Sequence, residues 1–166
     1  MSTMNNDKQE IFSIDHLHAH KDYASLLAYW SYLEWYSERT IPYSILKKEY
    51  ERRAVVNSLP KTFIAFYNSL PVGMVSIKQT ELWVYPELSP WLSALYVIPK
   101  CRKNGVGGQL VRRVMEEVSS ISNKLYLFIA DSSEYLESFY TSLGWQFYTK
   151  AQDNDKRESK IFIYKF

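Results

Sequence analysis

One cysteine, Cys101, in 166 residues leaves no internal disulfide to expect and fits a reducing compartment. Long hydrophobic runs are absent too: none approaches the roughly 20 residues of a membrane-spanning helix. The first ten residues are polar and lead into no apolar core of a secretory signal, so the expectation is a cytoplasmic protein with no membrane partner. Charge of one sign is scarce. A surplus of two positive charges, with no long basic run, offers little to a nucleic-acid backbone. No repeat, low-complexity tract or linker interrupts the chain, and one domain over residues 1–166 is expected, with 1–10 flexible. A chain of this size buries roughly 70% of its extended surface, enough for a core. Glycine is sparse at five residues, and three of them fall together at 105, 107 and 108. What the chain has in excess is aromatic side chains, 16% of the total, many of them between residues 23 and 50.

Hydrophobic periodicity gives the order β, α, α, β, β, β, α, β, α, β, β. Residues 11–18 alternate weakly, as a first strand does. Their alternating His16, His18 and His20 would share one strand face, but no cysteine or fourth ligand accompanies them, so they read as a solvated segment and no metal is expected. A helix from about Asp22 to Ser37 would bury Leu26, Leu27, Trp30 and Leu33, and a second, capped by Thr40 and ended by Pro60, would bury Ile45, Leu46 and Tyr50. The Lys47-Lys48 and Arg52-Arg53 pairs then form its wet face. Strands follow at 62–67, 72–82 and 91–98, with Gly73 marking a bulge or a close backbone approach. After a helix at about 105–118 come a strand at 124–130 and a helix at 133–143 closed by Gly144. A terminal hairpin turns at 153–155.

The most informative segment is Pro99 to Gly108, between the apolar strand ending at Ile98 and the amphipathic helix carrying Val106, Leu110, Val111, Val114 and Val118. Glycine removes Cβ atoms that would hold an anion off the backbone, and the first N–H groups of a helix have no internal acceptor. Such a turn accepts anionic oxygens. The nucleoside-triphosphate loop ends in Gly-Lys-Ser/Thr, but Gln109 follows Gly108 here. The dinucleotide fingerprint asks for a third small residue where Leu110 stands.

The remaining pattern, Arg102-x-x-Gly105-x-Gly107 after Val97-Ile-Pro99, resembles the GNAT superfamily of acyl-CoA-dependent N-acetyltransferases, whose signature is Gln or Arg, two residues, Gly, one residue, then Gly or Ala. Phe139-Tyr-Thr-Ser-Leu-Gly-Trp145 looks like that family's aromatic-Tyr-x-x-x-Gly-aromatic segment, so the resemblance covers about residues 91–147. It implies an α/β (α+β) fold: a mixed, mostly antiparallel sheet of about seven strands, flanked by about four helices, with a splayed parallel pair at its centre. It also implies acetyl-CoA as acyl donor and a direct transfer to a primary amine in a ternary complex. The diphosphate would rest on the turn formed by Arg102, Lys103, Asn104, Gly105, Val106, Gly107 and Gly108, and the pantetheine amides on main-chain groups of Leu95, Tyr96 and Val97. An N–H near Val97 would steady the oxyanion. The 3′-phosphate of CoA is to be sought near Lys103, Arg112 or Arg113.

Tyr140 is the expected catalytic residue. The resemblance sets it beside the CoA sulfur, where a phenol with a pKa near roughly 10 is protonated at neutral pH and donates to a thiolate. The strand 91–98 has no carboxylate to act as base; Glu81 or Glu87, flanking the loop before it, are the alternatives to water. Aromatic faces with nearby glutamates attract a cationic amine, and Trp30, Glu81 and Trp91 are the candidates for the acceptor site. A small-molecule amine is the first reading of the acceptor and a peptide or protein amine the second. A non-catalytic acyl-CoA-binding sensor and a nucleotide-dependent enzyme using the same turn are the readings from other classes. Exposed tyrosines and the terminal hairpin leave room for a homodimer.

Overall fold

A computed structural model describes residues 11–166; the expected flexible segment 1–10 lies outside the described residues. Seven strands form one sheet: β1 (Phe12–His16), β2 (Lys61–Tyr67), β3 (Leu70–Lys78), β4 (Trp91–Val97), β5 (Lys124–Ala130), β6 (Gln146–Gln152) and β7 (Glu158–Lys165), in the order β1-β2-β3-β4-β5-β7-β6. Among the described residues four α-helices flank it: α1 (Ala24–Ser31), α2 (Tyr43–Arg52), α3 (Val106–Ser119) and α4 (Glu134–Ser142). Every neighbouring pair is antiparallel except β4 and β5. This is the mixed sheet the sequence predicts.

Helices on both faces explain why β2 is buried almost end to end, since neither set of alternating side chains meets water. Phe63, Ala65, Val75 and Ile77 pack with the α3 residues Val106, Leu110, Val114 and Val118. Ile64, Phe66 and Met74 point the other way, toward Leu27, Ala28, Leu46 and Tyr50 of α1 and α2. A third cluster, Leu82, Leu88, Trp91, Tyr126 and Ile161, closes the sheet at the start of β4.

Several boundaries differ from the sequence reading. The first helix is preceded by a 3-10 segment, Leu17–Tyr23, kinked where His20 leaves helical geometry (φ −137°, ψ 45°), and it ends in a π-helical turn, Tyr32–Tyr36. Pro42, not Thr40, occupies the N-cap of α2, and the helix stops at Arg52, well before Pro60. Asn68 and Ser69 both take left-handed φ (47° and 66°), which makes a two-residue hairpin turn and starts β3 at Leu70. β3 ends at Lys78, and Leu82 is a core residue of the following loop.

Candidate active site

The site begins where the sheet comes apart. β4 and β5 pair at Trp91 and Tyr126, with the Tyr126 N–H on the Pro90 carbonyl at 3.0 Å, and then diverge. The divergence coincides with a bulge in β4. Ser93 faces Ser76 and Tyr96 faces Met74, so Ala94 and Leu95 together oppose Val75, and Ala94 takes a φ of 53°. A left-handed conformation is unfavourable for an L-residue, and such strain concentrates at functional sites.

Beyond Val97 the chain turns through Pro99–Cys101 into α3, with Gly105 at φ 80° as N-cap. The Arg102 N–H closes on Pro99, and the next main-chain N–H with a partner in the chain is that of Gln109, on Gly105 at 3.1 Å. The donors from Lys103 to Gly108 therefore have no acceptor among the described residues, at the positive end of a helix dipole. The glycines there are not required by crowding. A Cβ on Gly107 would meet Phe139 at an ordinary 3.5 Å, and one on Gly105 would meet nothing within 4 Å. The contrast is Gly73, where a Cβ would lie 2.9 Å from the Tyr96 carbonyl oxygen and 3.1 Å from Leu110: the close approach expected from sequence is real and holds β3 against β4. The turn thus presents unpaired donors on open backbone, which fits a diphosphate.

The side chain of Arg102 folds back. Its Nε donates to the Val97 carbonyl at 2.8 Å, one Nη lies 3.7 Å from Glu34, and the guanidinium sits over the Tyr96 ring at 5.5 Å. Arg102 fastens the turn to β4. Arg112 Nη1 lies 3.3 Å from where a Gly108 Cβ would stand, so this cation flanks the turn. Arg113 is engaged elsewhere, with Glu117 at 3.0 Å and the Phe63 ring at 4.4 Å.

A cavity of about 420 Å³ fills the parted region, lined by Ser93 to Leu95 of β4, Leu127 to Ala130 of β5, and Tyr140 of α4. Tyr140 is 5% exposed, packs on Phe139 and Trp145, and burial alone pushes its pKa well above the ordinary 10.0. Its hydroxyl holds its proton throughout the neutral range. The other flank of the cavity comes from distant segments: Trp35, Tyr36 and Arg39 after α1, Tyr50 and Arg53 at the end of α2, Lys78 at the end of β3 and Glu81 after it, and Asp153, Asn154, Asp155 and Arg157 of the terminal hairpin. Burial raises the Tyr36 and Tyr50 phenols too. Burial also works to raise Asp153, but hydrogen bonds from the Arg157 side chain and from the Arg157 and Asp155 N–H groups outweigh it and hold the carboxyl below 3.8.

Of the predicted site residues, Leu95, Glu81 and Tyr140 line one cavity, and the turn 102–108 leads away from β4. Trp91 does not: it is fully buried, with its indole N–H on the Leu88 carbonyl, and belongs to the core. Trp30 is also outside the cavity, stacked on Tyr96 at 5.3 Å. Of the two glutamates flanking the loop before β4, Glu81 lines the cavity, 2.8 Å from Lys78 Nζ, and Glu87 does not. Glu34 lies beside Arg102 and Glu49 beside Arg52. Sequence reasoning missed Arg53, which is 6% exposed and not on a wet face. The signal was there: Leu46, Tyr50 and Arg53 recur at helical spacing, on the stripe already assigned to the core. The three histidines have separate partners: Arg113 for His16, the Ala54 carbonyl for His18 and Asp15 for His20. Among the described residues no group of His, Cys, Asp or Glu could hold a metal ion, and no helix is long and apolar enough to cross a membrane.

A parallel pair that parts over a cavity, followed directly by a turn of unpaired main-chain donors, is the frame of the site. The model of the acetyltransferase (GNAT) domain matches residues 18–158, and the chain belongs to that family. No curated protein matches significantly. Solved structures share the fold. An aminoglycoside 6′-N-acetyltransferase complexed with coenzyme A has a TM-score of 0.70 at 17% identity, over 92% of this chain and 96% of that one. Arabidopsis thaliana Naa50, in complex with a bisubstrate analogue, CoA-Ac-MVNAL, has 0.69 at 18%, over 93% and 99%. The ribosomal-protein-S18-alanine N-acetyltransferase of Escherichia coli has 0.66 at 17%, over 93% and 94%. These three proteins are named for different acceptors or carry different acceptor mimics, so the likeness defines the fold and not the substrate.

Proposed function

We propose that this chain transfers an acetyl group from acetyl-CoA to a primary amine of a small molecule, by direct attack in a ternary complex. The parting of β4 and β5 over a cavity that joins a buried phenol to a charged wall carries the reading. The donor is an activated thioester and supplies the leaving group. Main-chain N–H groups from Lys103 to Gly108 hold its diphosphate, with Lys103 and Arg112 adding charge. The β4 edge at Leu95 to Val97, half-buried and left without a strand partner on the β5 side, bonds the amides of the donor's arm, because peptide groups covered by the donor need partners. A main-chain N–H near Val97 donates to the carbonyl oxygen as charge develops. Tyr140 hands its proton to the departing sulfur. Glu81 takes the proton from the attacking nitrogen, directly or through water. The cavity's volume falls in the range of about 300–1,000 Å³ that small-molecule sites occupy.

Release of free thiol from acetyl-CoA, measured over a panel of small amines and peptide N-termini, tests this reading. Turnover with small amines supports it, and turnover with peptides alone would replace the acceptor class. Silence across the panel, with CoA binding intact by calorimetry, would make the chain a CoA-binding module without catalysis.

A further inference from the structure

Every cation on the cavity wall but one has a carboxylate beside it among the described residues. Lys78 Nζ lies 2.8 Å from Glu81, Arg39 Nη2 2.9 Å from Asp155, and Arg157 Nη2 2.6 Å from Asp153. Arg53 has none within 4.0 Å, although it is the most buried of the four at 6% exposure. Its Nη1 reaches Ser76 Oγ at a long 3.4 Å, and that hydroxyl already shares a 2.7 Å bond with Thr62 Oγ1. Its Nε is buried without an acceptor. The Tyr50 ring, 4.4 Å away, covers the guanidinium face and supplies no carboxylate to its edge. On its other side Arg53 borders a shallow hollow with Glu49, whose carboxylate is held by Arg52 at 2.7 Å. Arg53 is the C-cap of α2, so the helix's negative end offsets part of its charge without supplying acceptors to that edge.

A guanidinium presents five donors in a rigid plane and matches a carboxylate two bonds at a time. Burying such a group unpaired is costly unless something arrives to pair with it. Taken whole the wall is neutral, Arg39, Arg53, Lys78 and Arg157 standing against Glu81, Asp153, Asp155 and Glu158, the last of which is held by Gln152 at 2.8 Å, so it has no excess negative charge to recruit a polycation.

We infer that Arg53 receives a carboxylate carried by the acceptor, which is therefore an amino-acid-like molecule bearing an amine and a carboxylate together rather than a polyamine or an aminoglycoside. The inference rests on the acetyltransferase reading for its chemistry, but its geometry stands apart from turnover. The amine end lies toward Glu81, on the same wall, and the carboxylate end lies on the Arg53 edge above Tyr50.

The test compares free α-amino acids with their carboxamides, which keep the amine and lose the anion, in steady-state thiol release. In the natural chain the carboxylates are at least tenfold better in kcat/KM, chiefly through KM. Arg53→Met, which keeps the stem and removes the charge, brings the two series within twofold of each other and leaves the KM for acetyl-CoA unchanged, while Arg53→Lys recovers part of the difference. Carboxamides equal to or better than carboxylates in the natural chain overturn the inference, as does a carboxylate preference that survives in Arg53→Met. Should Arg53→Met fail to fold, calorimetry of the natural chain saturated with CoA decides: tighter binding of the carboxylate series supports the pairing, and equal binding removes it. If no amine turns over, the acetyltransferase reading fails, and the same titration still decides the role of Arg53.

Discussion

Tyr140 and the turn glycines show how much one side chain can be asked to do. Tyr140 lines the cavity while its ring is packed between Phe139 and Trp145. Tyr140→Phe keeps that packing and removes only the donor, so turnover should fall at least tenfold with little change in acetyl-CoA affinity; unchanged turnover in single-turnover kinetics would take Tyr140 out of the reaction. The glycines separate by conformation. Gly105→Ala places a Cβ at φ 80° and should cost about 1–2 kcal/mol in urea unfolding, with at least tenfold weaker CoA binding by calorimetry. Gly107→Ala meets Phe139 at an ordinary contact inside a helix, and should gain up to about 1 kcal/mol with CoA binding kept. The motif places both glycines in one signature; only the backbone angles show that they serve different ends. Arg53 teaches the converse, because its burial follows from the Leu46-Tyr50 stripe and was legible, yet its missing carboxylate was not.

At the scale of elements, strand–turn–helix from Trp91 to Ser119 was the clearest part of the sequence, because each of its signals is local. Proline ends the strand, glycine opens the helix, and a 3.6-residue stripe runs through α3. The β4 bulge had no such signal. Nothing in Leu-Ser-Ala-Leu announces a left-handed alanine; two residues opposing Val75 is a property of the pairing with β3. Its neighbour Gly73 was legible as a close approach but not as an approach to Tyr96. Gly73→Ala should cost about 1–3 kcal/mol as an overpacked contact and shift β4 enough to weaken acetyl-CoA binding, read as a lower urea midpoint and a raised KM. A melting curve and KM both matching the natural chain would show that β4 yields freely there. The first two helices were legible in number but not in pitch. The π-helical turn 32–36, which precedes Arg39 at the cavity, replaces the plain continuation expected.

For the whole molecule, stability should depend on pH at both ends, with signs set by which form the fold favours. His16 is lowered below 6.5, first by burial, against Glu117 and with Arg113 and Lys61. The unfolded chain therefore takes a proton that the folded one refuses, and stability declines as pH falls below about 6.5. Asp153 is held below 3.8 and Glu117 below 4.5 by their cationic hydrogen bonds despite burial, so a second loss follows below about pH 4. Burial raises Tyr36, Tyr50 and Tyr140, which leaves their contribution intact below about pH 10 and removes it as pH rises further. Melting temperature against pH should be highest and flat between these limits. A profile unchanged by His16→Gln in the acid limb near pH 6 would contradict the assignment of that step.

What the amino-acid sequence determined by itself is whatever neighbours along the chain encode: the alternation of strands and helices, the buried stripes, the anion-accepting turn and the tyrosine in its aromatic segment. What only the tertiary structure decided is which of those faces meet. β7 inserts between β5 and β6, and the sheet order carries the turn at 153–157 to the same cavity as Arg39, Arg53 and Glu81. Side-chain periodicity specifies which face of an element is buried. The partner of that face, and the charge left unpaired against it, depend on contacts between residues tens of positions apart, which no local pattern records.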